Sequence, residues 1–177
     1  MKRNDGSHLR LIICLLFQVV IYQTLNAQQT VQLVKTEYDA NKNFTQITLN
    51  PIILASKKLE ELRLGALTGY PGKIKSKPSE IALVFFSLSK TDENRYETTH
   101  RLIVVADDRR FDWGEAQRSK QQQNGLFIET MTAAVPFDDF LFIARAKQVK
   151  LRLGLTEVGL ADAQLSVLRM LASYVVE

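Results

Sequence analysis

The sequence predicts a mainly β, α+β architecture: an antiparallel β-sandwich or open barrel with one short inserted helix and a C-terminal helix. Three observations carry this expectation. Short runs rich in β-branched and aromatic residues alternate with turn-forming clusters. Helical periodicity is confined to two late segments, 136–146 and 161–175. Strands come first and helices late, which favours packed antiparallel sheets over any βαβ repeat.

Residues Met1 to about Ala27 carry the three parts of a cleavable secretory signal. Lys2, Arg3 and Arg10 form a positive start, Leu11 to Ile21 is apolar apart from Gln18, and Leu25-Asn26-Ala27 offers a cleavage end before Gln28. A spanning helix wants about 20 predominantly apolar residues. Gln18, Gln23, Thr24 and Asn26 interrupt this one, so no stable membrane span is expected after cleavage. Cys14 follows bulky Ile13 inside the apolar stretch, a poor setting for lipid attachment.

The expected mature chain, residues 28–177, is one β-rich domain of ordinary size. It has no cysteine and one histidine, His100, so its stability rests on packing, and a Cys/His metal site has no ligands there. Its charge is nearly balanced, 20 basic against 18 acidic residues, once the three basic and one acidic residues of the signal are set aside. That balance gives no argument for nucleic acid as a partner.

Along the mature chain, Thr30 to Tyr38 and Phe44 to Leu49 read as a hairpin joined by the polar cluster Asp39 to Asn43, with Pro51 ending the second run. Leu59 to Thr68 reads as a third strand, although good helix formers open it at Ser56 to Leu62. Gly69-Tyr70-Pro71-Gly72 and Lys73 to Pro78 read as a loop. Ile81 to Leu88 is a near-continuous apolar run, as a central strand covered on both faces requires. Lys90 to Thr99 reads as a solvated turn, Arg101 to Ala106 as a strand, and Asp107 to Arg110 as the tight turn leading to Phe111 and Trp113.

Glu115 to Asn124 has no apolar anchor except Ala116, which predicts a mobile loop tip at Ser119 to Asn124. The strand Leu126 to Val135 follows. Pro136 with Asp138 and Asp139 marks a helix start, and Phe137, Phe140, Leu141 and Ala144 form its apolar stripe. Val149, Leu151 and Leu153 alternate in a strand that Gly154 breaks and Val158 and Leu160 extend after a bend. Leu165, Leu168, Leu171, Ala172 and Val175 face one side of the closing helix.

Candidate chemistry is sparse. Asp107-Asp108 and Asp138-Asp139 are the visible carboxylate pairs, but adjacent residues point apart and the second pair suits a helix start. Glu129 reads as an isolated carboxylate on a wet strand face, and His100 as a surface side chain beside Arg101. No Gly-x-Ser-x-Gly turn and no phosphate-binding glycine loop occurs. Asn43-Phe44-Thr45 matches a glycosylation acceptor, Lys73, Lys75 and Lys77 form a basic comb able to meet lipid headgroups or acidic glycan, and Trp113 and Tyr70 offer aromatic faces.

No catalytic, cofactor-binding or metal-ligating set is therefore assigned, and no cofactor is expected. The expected role is a non-enzymatic periplasmic or secreted domain that binds an envelope protein or glycan. The alternative is a hydrolase of envelope glycan using carboxylates such as Glu129 and Asp108.

The Tyr38-Asp39 to Leu49 hairpin, the Phe86-Ser87-Leu88-Ser89 strand end, the Pro136-Phe137 helix with Ile143-Ala144, and the Leu153-Gly154 to Leu171-Ala172 segment resemble a group of exported bacterial β-rich domains with no established activity. The resemblance implies a β-rich exported domain and assigns no functional residue.

Overall fold

A computed structural model describes residues 32–91 and 95–175. The proposed signal, residues 1–27, lies outside the described residues. The strands are β1 (Val34–Asp39), β2 (Phe44–Lys57), β3 (Glu60–Pro71), β4 (Glu80–Ser89), β5 (Arg101–Ala106), β6 (Arg109–Glu115), β7 (Gln117–Gln123), β8 (Leu126–Pro136), β9 (Val149–Leu153) and β10 (Thr156–Gly159). The helices are α1 (Phe137–Arg145) and α2 (Asp162–Ser173).

The strands form a six-stranded sheet ordered β1-β2-β3-β4-β8-β7 and a four-stranded sheet ordered β10-β9-β5-β6. All neighbouring pairs are antiparallel. The fold is mainly β, with open sheets, a short inserted helix and a C-terminal helix.

Alternation along the strands creates one shared core. Ile47, Leu64, Phe85 and Met131 of the larger sheet join Leu102, Val104, Leu151 and Leu153 of the smaller one, together with Phe137 and Phe140 of α1 and Leu165 and Leu168 of α2. Every residue from Ile81 to Phe86 is buried, in keeping with the central place of β4 between β3 and β8. The helices are tied to each other and to the larger sheet. The Arg169 guanidinium donates to the carbonyls of Ala144 and Ala146 at 3.0 and 3.1 Å, satisfying the C-terminal end of α1. Gln164 accepts the Ala161 N–H at 2.7 Å and donates to the Ile53 carbonyl at 2.7 Å, fastening the start of α2 to β2.

Several elements differ from expectation. Pro51 does not end β2: the register shifts between Leu49 and Ile52, and a bulge accommodates a residue that cannot donate to the ladder. Gly69 and Tyr70 belong to β3, and a Cβ on Gly69 would lie 2.5 Å from the Phe44 ring, so this glycine serves close packing rather than a turn. The expected loop tip at Ser119 to Asn124 is instead β7 and its turn. Edge strands need no alternating core residues, and Asn124-Gly125, both at positive φ (52° and 76°), closes a two-residue hairpin onto β8. Val158 lies on β10, which folds back antiparallel on β9 instead of extending it. In α1 the buried stripe is Phe137, Phe140, Ile143 and Ala144, leaving Leu141 half-buried.

Candidate functional site

The β5–β6 turn and α1 together form a hollow of about 390 Å³, lined by Asp107, Asp138, Leu141, Phe142, Arg145 and Ala146. Each wall follows from local structure. Asp107 occupies the tight turn at φ 52°, a left-handed conformation that aspartate tolerates. Its carboxylate Oδ1 accepts the backbone N–H groups of Lys147 and Gln148, both at 3.0 Å, while its own N–H donates to the Gln148 carbonyl at 2.8 Å. The turn is thereby stitched to the segment joining α1 and β9.

Asp138 and Asp139 sit in the first turn of α1, where carboxylates complement the helix dipole. Asp138 pairs with Lys77 of the β3–β4 loop, and Asp139 accepts from Arg109 Nη2 at 3.4 Å. The Arg109 guanidinium lies 4.6 Å from the Phe111 ring centroid and 5.2 Å from that of Phe142, within cation–π range of both. Phe111 in turn stacks on Trp113, with centroids 5.5 Å apart and planes 15° from parallel. Beside this aromatic row, the hydrogen bond from Arg101 holds the Asp112 carboxyl below the usual aspartate range against the opposing effect of desolvation, with the Gly114 N–H and the charges of Arg101 and Arg110 assisting.

Arg145, in the last turn of α1, is exposed and makes no ion pair among the described residues. The hollow thus presents a half-buried aromatic ring, an aliphatic side chain and an available guanidinium beside carboxylates that already have partners. Such a surface can stack on a ring and clamp an acidic group.

Comparison with known protein families, curated proteins and solved structures finds no match to this chain.

The fold brings together one member of each carboxylate pair, Asp107 and Asp138, on opposite elements of one hollow. It does not join Glu129 with Asp108, which lie on β8 of the larger sheet and in the β5–β6 turn of the smaller one. Glu129 is also not on a wet face. It is 4 % exposed, and its Oε1 accepts from Arg118 Nε at 2.9 Å and Nη2 at 2.6 Å. Two-residue periodicity puts it on the same side of β8 as core residues Met131 and Ala133.

Tyr70 is buried, which removes it as an exposed aromatic platform, whereas Trp113 packs half-buried against the core. His100 is partly covered. Its Nδ1 lies 3.0 Å from the Tyr96 carbonyl, and its backbone N–H donates to Glu115 Oε2 at 2.7 Å. Asn43 lies in the β1–β2 turn and accepts from the Tyr38 hydroxyl at 2.9 Å. Among the described residues no cluster of three or more His, Cys, Asp or Glu side chains is placed to hold a metal ion, and no helix is long and apolar enough to cross a membrane.

Sequence reasoning missed Arg109, Phe142 and Arg145. Phe142 falls just off the buried stripe of α1, a position that periodicity alone assigns to solvent. Its partners Arg109 and Phe111 come from a hairpin some 30 residues away in sequence, as the Arg109–Asp139 separation records.

Proposed function

We infer that this chain is an exported, non-enzymatic binding domain of the cell envelope whose contact surface is the hollow between the β5–β6 turn and α1. One observation carries the reading: the carboxylates around the hollow already serve as structural acceptors, whereas the exposed Arg145 guanidinium makes no ion pair with a described residue and lies beside the half-buried Phe142 ring that Arg109 and Phe111 hold in place. A carboxylate that anchors backbone N–H groups or a neighbouring cation is poorly placed to shuttle protons. An aromatic ring beside an arginine is the composition that recurs at energetically important contacts. Export is supported by the positive start, the apolar stretch and the small-residue end of residues 1–27.

The second reading, a carboxylate-dependent hydrolase of envelope glycan, is favoured by Asp107 and Asp138 lining the same hollow. One experiment separates the two: purified protein is incubated with isolated bacterial envelopes, and both retained protein and released reducing ends are measured. The binding reading expects retention without release, with Phe142→Ser plus Arg145→Glu lowering retention roughly 10-fold, as loss of a contact centre does. Release of reducing ends that Asp138→Asn abolishes would establish the hydrolase instead, and absence of both signals would sink both readings.

A further inference from the structure

The β3–β4 loop, residues 72–79, carries an arrangement that the hollow does not use. Its two ends are pinned. The Gly72 N–H donates to the Asn43 carbonyl at 2.7 Å and the Thr45 hydroxyl to the Gly72 carbonyl at 2.5 Å, while the Ser79 carbonyl accepts the Phe137 N–H at 3.0 Å. Lys77 is held by Asp138. Between these anchors Ile74 is 85 % exposed, the most exposed large apolar side chain of the described residues. It stands between Lys73 and Lys75, both exposed and neither in an ion pair with a described residue.

Lys73 Nζ lies 4.8 Å from the ring centroid of Tyr38, itself 38 % exposed, so an amphipathic aromatic side chain borders the tip. Between its anchored ends the loop therefore presents one aliphatic side chain to solvent, with cations on both sides and a tyrosine beside Lys73.

We propose that this loop docks the protein peripherally on a bilayer bearing anionic lipid headgroups: Ile74 enters the headgroup–acyl boundary, Lys73 and Lys75 meet the phosphates, and Tyr38 lies at headgroup depth. Each part has a matching physical role. Burying an exposed aliphatic chain in the boundary is favourable, lysines beside an anionic leaflet add electrostatic attraction, and tyrosine is enriched at membrane interfaces. A soluble acidic glycan would use the lysines but has no use for an aliphatic tip, and this favours the bilayer as the occupant. Near-balance of the total charge is no obstacle, because headgroup attraction acts within a Debye length of the loop.

The test uses the full chain with phosphatidylcholine vesicles, with and without phosphatidylglycerol. Because the apolar stretch near the amino terminus can itself meet lipid, loop variants are compared on an identical chain, and a local probe is added. Ile74→Trp should give a blue-shifted emission increment over the Trp113 background with anionic vesicles, and brominated lipid should quench that increment. Lys73→Glu plus Lys75→Glu should lower partitioning to anionic vesicles at least about 10-fold. Ile74→Ser should lower it about 5-fold.

Equal partitioning of all variants, or an emission increment from Ile74→Trp that vesicles leave unmoved, would overturn the proposal. Binding to a soluble acidic polysaccharide that Ile74→Ser leaves intact, with no vesicle effect, would overturn it in favour of glycan.

Discussion

Tyr96 illustrates what a single residue contributes when its surroundings are set by distant segments. It lies in the turn region before β5, which reads as polar and solvated, yet it is 1 % exposed, and its hydroxyl donates to Thr156 Oγ1 at 3.0 Å. Burial pushes the phenol above the ordinary tyrosine value, and the hydrogen bond to Thr156 only partly offsets that rise. The folded-state pKa is thus raised. Its contribution to stability is whole below the unfolded-state value near pH ~10 and is lost as pH rises through the folded-state value.

Urea midpoints of wild type should fall more steeply than those of Tyr96→Phe as pH rises above about 10. At neutral pH the variant should be about 1 kcal/mol less stable for want of the hydrogen bond. Parallel pH profiles for the two proteins would show that Tyr96 ionises without penalty. Nothing in Arg95-Tyr96-Glu97 announces this burial. Gly154 does so only in retrospect, since a Cβ there would lie 2.3 Å from the Thr99 carbonyl oxygen and the close approach presses the turn onto the β9–β10 hairpin.

Among elements, β7 is the least legible and β4 the most. An unbroken apolar run can lie only where both faces are covered, so Ile81 to Phe86 declares a central strand. The Gln117–Gln123 strand has no such pattern, because an edge strand presents polar side chains to solvent and is held by ladder hydrogen bonds and by what its neighbour offers. Here the neighbour offers Glu129, which Arg118 reaches from β7.

Removing one partner of this covered pair strands a charge. Glu129→Ala should therefore cost about 3 kcal/mol or more in chemical denaturation, whereas Arg118→Met with Glu129→Leu should stay within about 1 kcal/mol of wild type. If the double variant is as unstable as the single, the pair itself, and not the isolated charge, sustains the edge. The α1 stripe is legible to one position: proline and two aspartates mark its start, but Leu141 and Ile143 are both apolar, and only the neighbouring elements determine which turns inward.

For the whole molecule, stability depends on one core that both sheets and both helices share, with no cysteine after residue 27 to reinforce it. Leu168 of α2 is buried within it. Leu168→Asp should abolish the cooperative thermal transition, since an unpaired charge would enter the core, while Leu168→Met should lose less than about 1.5 kcal/mol. A normal transition in the aspartate variant would mean that α2 is dispensable for the fold.

The fold class and most elements are written in periodicity and turn chemistry, because alternation, apolar runs and helix-start residues act over a few neighbouring positions. Asp107 and Asp138 are likewise visible as types. That they line one hollow, that Glu129 is buried against Arg118, and that Ile74 stands free on a pinned loop were decided by tertiary structure alone. Each of these depends on how strands and helices far apart in the chain are brought side by side, and local sequence pattern carries no measure of that distance.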